Sequence, residues 1–221
     1  MSQPKITYKY LLRFKKNSTA VWISHLDMVR TFQRIFMRAG VELVFSEGFN
    51  PHPRIVFAVP LPLGASSECE LLEFRLYEER DEGELLREIK AVAPIGIEII
   101  SVEKSDRKFT DIKFASYEFT LSGCDERLAD IVDGFVSLPE IIVNRKTKSG
   151  FKDKDIRGSF ASATITDGKL FAVLSVDADS FLGPEPFISA LQTYATENGA
   201  ELNVASVSRL KMLCENQIDE F

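Results

Sequence analysis

The chain has 221 residues and a formal net charge of −6, so it can form one large or two small domains but is too acidic to coat nucleic acid with its whole surface. It contains no apolar run of membrane-spanning length and no signal-peptide core, which predicts a cytoplasmic protein without a membrane partner. The widely spaced Cys69, Cys124 and Cys214 predict no zinc site, no iron–sulfur cluster and no other cofactor.

The first half of the chain has a regular order of predicted elements. Apolar and polar residues alternate over residues 6–15, which predicts a half-buried strand. Ser24 and Asp27 have the spacing of a helix N-cap, and Gly40 is typical of a helix end. The apolar stripe of this helix is predicted to be Leu26, Val29, Phe32, Phe36 and Ala39. The remaining elements are strands over 41–45, 54–59, 70–77 and 97–103, with a helix over 84–92.

The second half repeats this order. The predicted elements are a strand at 117–121, a helix at 125–137, a strand at 141–147, a hairpin of 163–166 with 169–176, a helix with Pro186 in its first turn that ends at Asn198-Gly199, and a strand at 202–213. Asp167-Gly168 predicts the hairpin turn, and residues 157–161 fit a strand or a short helix. The order predicts an α+β protein of two tandem ferredoxin-like (split βαβ) domains, residues 1–104 and 109–214.

Arginines form one face of the first predicted helix. Arg30, Arg34 and Arg38 are four residues apart, so they share a face opposite the apolar stripe. One interpretation is an ordinary solvated face, which every amphipathic helix needs. The other is a ridge that binds successive phosphates of RNA.

A second basic cluster lies between residues 144 and 157. Its cations are Arg145, Lys146, Lys148, Lys152, Lys154 and Arg157. Phe151 lies among them and has the aromatic ring needed to stack on a base. The cluster is either an exposed, flexible hairpin loop or a surface for an anionic partner such as RNA. Lys9, Arg13 and Lys15 are predicted to add cations on the open face of the first sheet.

The segment from Phe45 to Arg54 is rigid and polar. It contains two prolines and is followed by the Pro60-Leu61-Pro62-Leu63-Gly64 turn, and proline restricts both itself and the residue before it. Asn50, His52 and Arg54 are therefore predicted to be held in place as RNA contacts. The two histidines, His25 and His52, also fit a general base and a general acid for metal-free RNA cleavage, or residues that brace the loop and the helix start. No spacing of metal ligands is present.

Several of these segments together resemble a radical-SAM-linked bacterial family of unknown function. The motifs are Ile23-Ser24-His25-Leu26-Asp27, the helix with Arg34 and Arg38-Ala39-Gly40, the run from Phe45 to Arg54, Pro60-Leu61-Pro62-Leu63-Gly64, Asp155-Ile156-Arg157 and Val207-Ser208-Arg209. Members of this family are fused to, or encoded beside, radical SAM proteins. The resemblance implies a radical SAM partner and a link to RNA or ribosome metabolism, and the family has no established catalytic residues to assign to positions of this chain.

The sequence therefore supports three alternative functions. The first is an RNA-binding or substrate-presenting module, without catalysis of its own, that works with a radical SAM enzyme. The second is a metal-independent endoribonuclease that uses His25 and His52. The third is a protein–protein adaptor that docks through the proline-rich loop and binds no RNA.

Overall fold

The fold is α+β, with four α-helices in the described part of the chain and antiparallel strand pairs. The structure is a computed structural model that describes residues 6–123, 126–147, 150–215 and 221, and only the backbone of residues 145–147 and 151. The chain divides into two compact units, Met1–Phe109 and Thr110–Phe221. None of the described helices is long and apolar enough to cross a membrane.

The first unit has the order strand, helix, two strands, helix, strand. Its elements are β1 (Tyr8–Lys16), α1 (His25–Arg38), β2 (Ile55–Phe57), β3 (Ser66–Leu76), α2 (Glu82–Val92) and β4 (Ile97–Lys104), with a 3₁₀ turn at Ser18–Trp22 before α1. Antiparallel pairing gives the strand order β4-β1-β3-β2. The two helices pack on one face of this sheet, where they share a core with β1, β3 and β4.

The alternation in β1 places its aromatic residues in that core, as predicted. Tyr10, Leu12 and Phe14 are buried against α1 and α2. The predicted cap of α1 is also confirmed, because the Ser24 hydroxyl accepts the backbone N–H of Asp27. The prediction for Leu26 was wrong: its side chain is 68% exposed, because it lies in the first turn of α1 on the side away from the sheet. Met28 and Ile35 contribute to the core instead.

On the other face of β1 the sequence predicted cations open to solvent. Two of these cations, Lys9 and Lys15, lie beside carboxylates. Lys9 Nζ is 3.7 Å from Glu73 Oε2 and donates to the backbone oxygen of Arg107. Lys15 Nζ is 2.7 Å from Glu68 Oε2, which raises the pKa of Lys15. Lys9 and Lys15 therefore have carboxylates beside them and are not open cations.

The second unit repeats the order of the first with an extra hairpin. Its elements are β5 (Phe114–Leu121), α3 (Leu128–Val136), β6 (Ile142–Thr147), β7 (Gly150–Asp155), β8 (Phe160–Thr166), β9 (Lys169–Ser175), α4 (Pro184–Glu197) and β10 (Val204–Leu213). Antiparallel pairing gives the strand order β10-β5-β9-β8. Within the described residues, strands β6 and β7 pair only with each other and form a separate hairpin.

Aromatic residues fill the core of the second unit. Phe187 packs against Phe119, Phe135 and Phe160, with ring centroids 5.3–6.2 Å apart. The predicted turn at Asp167-Gly168 is confirmed, since both residues have positive φ, 51° and 73°, as a type I′ hairpin turn requires.

One local prediction differs from the structure. Residues 41–45 do not form a strand, because their pairing is limited to the isolated bridges Leu43↔Leu76 and Phe45↔Pro53. The ambiguous segment begins as a short 3₁₀ helix, Arg157–Ser159, and continues as β8. The last helix begins at Pro184, so Pro186 lies in its first turn as predicted.

Candidate functional site

The arginine face of α1 is exposed along its length. Arg30, Arg34 and Arg38 are all solvent-exposed. Arg30 pairs with Asp27, with Nη1 2.9 Å from Oδ1; the Ser24 hydroxyl, followed by Arg30, lowers the pKa of the Asp27 carboxyl. Arg34 and Arg38 form no ion pair within the part of the chain that the structure describes. Two of the three predicted cations are therefore available for an external anion.

The proline-rich loop, residues 45–54, is closed at its base by hydrogen bonds. Ser46 donates its backbone N–H to the backbone oxygen of His52 at 2.8 Å, and its hydroxyl accepts the backbone N–H of His52 at 3.1 Å. The imidazole Nδ1 of His52 is 3.0 Å from the same hydroxyl and 3.3 Å from the backbone oxygen of Asn50. Arg54 donates its backbone N–H to Val44 at 2.8 Å. His52 thus braces a loop that leaves the side chains of Asn50 and Arg54 exposed.

Phe49 lies at the tip of this loop, and the sequence analysis did not single it out. Its side chain is completely exposed, at 111% of the reference area. Gly48, with φ of 125°, precedes it and gives the backbone a conformation that other residues rarely adopt. An apolar residue between polar or small ones, shortly before two prolines, was the available signal.

The β6–β7 hairpin carries the second basic cluster. Lys152 is exposed, whereas Lys154 is half-buried and donates to the backbone oxygen of Phe181 at 3.2 Å. The backbone register sets Arg145 opposite Lys152 and Lys146 opposite Phe151; the side chains of Arg145, Lys146 and Phe151, and the whole of Lys148, lie outside the described part of the structure. The segment that one interpretation treated as a loop is mostly paired strand.

Arg157 braces the end of this hairpin. Its Nε donates to the backbone oxygen of Leu138 at 3.1 Å, and its guanidinium lies 5.1 Å from the ring centre of Phe160. Asp155 accepts the backbone N–H groups of Ile141 and Arg157, each at 2.9 Å. Most of the contacts of Arg157 are internal, so its first role is to fix the hairpin against the segment that follows α3.

His25 lines a cleft with two buried charged residues. The cleft encloses about 310 Å³, part of it open to solvent, and its walls are Phe14, Lys16, Ile23, His25, Met28, Phe57, Val59, Leu61 and Glu70. Lys16 and Glu70 are only 3% and 4% exposed, and Lys16 Nζ donates to the backbone oxygen of Ile23 at 3.2 Å. The His25 ring meets the Phe57 ring edge-on, with centroids 5.4 Å apart.

Lys16 and Glu70 were missed by the sequence analysis, although a signal existed. Lys16 continues the inward alternation of Tyr10, Leu12 and Phe14 along β1, and Glu70 lies opposite Phe14 in the register of β1 and β3. A charged residue in phase with a buried face is unusual and often functional. His52 is not part of the lining of this cleft, and the described residues contain no group of three potential metal ligands.

The fold and these surfaces define the protein's class: an α+β protein built on antiparallel sheet, with exposed basic residues on a helix, a loop and a hairpin. The chain belongs to a bacterial family whose model matches residues 9–184 and is described as "Uncharacterized protein conserved in bacteria (DUF2344)". The match includes α1, the proline-rich loop and the β6–β7 hairpin. No curated protein matches the chain.

Solved structures show the same class of fold. A chain in the crystal structure of a Cbf5-Nop10-Gar1 complex is similar over 92% of this chain, with 8% identity and a TM-score of 0.50. The similar region is 48% of that chain, so this protein spans about half of its neighbour's length. At this identity the likeness shows an α+β fold alone. An unknown protein from Galdieria sulphuraria aligns over 90% of this chain and 98% of its own at 10% identity, but its TM-score of 0.28 does not support a shared fold.

Proposed function

We propose that this protein is an RNA-binding accessory module that works with a radical SAM enzyme and has no catalytic activity of its own. One observation carries the RNA part: the backbone register of the β6–β7 hairpin sets the cation Arg145 directly opposite the cation Lys152. Like charges opposed across an antiparallel pair are destabilising, and a bound polyanion offsets this cost. In an acidic chain such an arrangement favours an anionic partner.

The distribution of ion pairs supports the proposal. Eight cations elsewhere pair with carboxylates: Lys9, Lys15, Arg75, Arg80, Arg87, Lys104, Lys113 and Lys169. By contrast, Arg34, Arg38, Arg54 and Lys152 form none among residues 6–123, 126–147, 150–215 and 221. These four predicted contacts therefore keep their charge available, and phosphate neutralisation dominates the affinity of proteins for RNA.

The finer fold description is part of the proposal. The sheet of each unit has four strands, and across the sheet they lie in the order fourth, first, third, second along the chain. These orders are β4-β1-β3-β2 in the first unit and β10-β5-β9-β8 in the second. This order and the two helices support two tandem ferredoxin-like domains, 1–104 and 109–214, with the β6–β7 hairpin inserted in the second.

RNA binding is tested by the salt dependence of affinity. We expect a fluorescently labelled single-stranded RNA to bind at low salt, with log Kd rising linearly with log salt concentration. Arg38→Ala should flatten this slope by about one unit. Lys152→Glu should lower affinity further, because it replaces a cation of the β6–β7 hairpin with a carboxylate. The matched control is Arg87→Ala, which removes an exposed arginine from α2; failure of the unmodified protein to bind at low salt would refute the proposal.

The radical SAM partnership rests on the family resemblance and needs a separate test. Co-expression with a radical SAM protein encoded in the same genome should give a complex that elutes as one species in size-exclusion chromatography. If that complex forms after nuclease treatment while the purified chain binds no RNA, the protein is an adaptor and not an RNA-binding module.

A second candidate function is metal-independent RNA cleavage at the cleft. The observation that favours it is the position of His25 beside the buried Lys16 and Glu70, since an imidazole near charged groups can transfer protons. Cleavage of cellular RNA in EDTA that is lost in His25→Ala would support it. A parallel loss in His52→Ala would support the participation of both histidines, whereas no cleavage by the unmodified protein would exclude it.

A further inference from the structure

Phe49 is exposed without any packing that explains it. A phenylalanine normally buries most of its area, yet this side chain is fully exposed at the tip of the loop. Its sequence neighbours Glu47, Gly48 and Asn50 are exposed too and are not hydrophobic. The residues directly flanking the ring in the sequence are therefore polar or small.

Hydrogen bonds hold the base of the loop that carries this ring. Residues 44–46 are bonded to residues 52–54 by the backbone contacts of Val44, Ser46, His52 and Arg54, and the Ser46 hydroxyl adds a further bond to His52. Pro51 and Pro53 restrict the returning segment. A loop whose base is already closed loses less conformational entropy on binding a partner than an open one does.

The polar groups near Phe49 fit a nucleotide. Asn50 and Arg54 are exposed, and Arg54 has no ion pair in the described residues. A base stacks on a phenyl ring, an amide bonds to a base edge, and a guanidinium binds a phosphate. Duplex RNA does not offer such a base, because its bases are stacked on one another.

We propose that Phe49 is a stacking platform for one unpaired base of single-stranded RNA, with Arg54 on a neighbouring phosphate. The inference deepens the proposed function and rests on it: it names single-stranded RNA as the substrate class and the proline-rich loop as the reading element. The stacking contact is independent of charge, whereas the Arg54 contact depends on it.

The test uses a single-stranded RNA of twelve nucleotides with one 2-aminopurine and the same RNA in a duplex. We expect binding of the single strand to change 2-aminopurine fluorescence, and Phe49→Ala to weaken affinity about tenfold with an unchanged salt slope. Phe49→Trp should keep both affinity and the fluorescence change. Arg54→Ala should flatten the slope by about one unit. The control, Leu63→Ala, removes another exposed apolar side chain, 63% exposed, and should bind as the unmodified protein does.

The outcomes separate this inference from the function on which it rests. If the unmodified protein binds no RNA at low salt, the proposed function fails and the stacking inference fails with it. If the protein binds RNA and Phe49→Ala binds equally well, RNA binding stands, the stacking inference is overturned and the loop becomes a protein-docking element. Equal affinity for the duplex and the single strand would also overturn it. Thermal melting of each variant shows whether a loss reflects unfolding, which the exposure of Phe49 makes unexpected.

Discussion

The hydroxyl of Ser46 makes two contacts with His52: it accepts the backbone N–H at 3.1 Å and lies 3.0 Å from the imidazole Nδ1. One small side chain therefore joins the two sides of the proline-rich loop. Phe49 and Asn50 lie in the segment that this junction closes. A substitution at Ser46 should therefore change the order of the loop without changing the core.

Ser46→Ala should loosen the loop and leave the rest of the protein folded. The lost hydrogen bonds contribute about 1 kcal/mol to closure of the loop, so amide exchange over residues 46–53 should be about fivefold faster. Hydrogen–deuterium exchange with mass spectrometry measures this. The control is Ser162→Ala, an exposed serine on β8. Unchanged exchange in Ser46→Ala would show that backbone pairing alone holds the loop.

Gly96→Ala should destabilise the first unit by about 2–4 kcal/mol. Gly96 has φ of 87°, and a Cβ there would lie 2.6 Å from the backbone oxygen of Asn17 and 2.7 Å from Ala20 Cβ. The backbone strain of an alanine at positive φ and the steric overlap of its Cβ therefore both destabilise the variant. Gly168→Ala is the matched control, because φ is similarly positive at 73° but no atom lies within 4 Å of the added Cβ; it should lose only about 1 kcal/mol. Equal losses in urea denaturation would contradict the steric argument.

Much of the element order could be predicted because its signals are local. The alternation of Tyr10, Leu12 and Phe14, the Ser24 cap and the Asp167-Gly168 turn each depend on neighbouring residues, and the structure has all three. Strand β7 was harder, because a charged segment such as Gly150–Asp155 lacks the apolar alternation that marks a buried strand. Residues 41–45 show the opposite case, an apolar run without a full partner strand.

The candidate site was less predictable because it depends on tertiary contacts. The alignment of Arg34 with Arg38 follows from helical geometry, whereas the burial of Lys16 and Glu70 depends on the elements that cover them. The internal contacts of Arg157 with Leu138 and Phe160 depend on how the hairpin meets the helix region. Composition alone does not distinguish such a bracing arginine from one that binds phosphate.

Tyr10→Phe should destabilise the first unit by about 1–3 kcal/mol. The buried Tyr10 hydroxyl donates to the backbone oxygen of Arg80 and accepts its backbone N–H, both at 2.8 Å. Removal of one oxygen leaves both backbone groups without this partner. Tyr194→Phe is the control, because its hydroxyl has no hydrogen-bond partner among the described residues. Equal midpoints for the two variants in urea denaturation would contradict the prediction.

Asp155→Asn should lower the melting temperature at neutral pH but not in acid. The backbone N–H of Ile141, followed by that of Arg157, holds the pKa of the Asp155 carboxyl below its usual 3.8. A carboxyl whose pKa is lower in the folded state contributes stability above its unfolded pKa, and that stability is lost as pH falls through the folded pKa. Asparagine keeps the accepting oxygen and removes only the charge. The melting temperatures of Asp155→Asn and the unmodified protein should therefore differ at pH about 6 and converge below pH about 3. The control is Asp153→Asn, which changes an acceptor for the Asn144 side chain. A constant difference at both pH values would show that charge is not the cause.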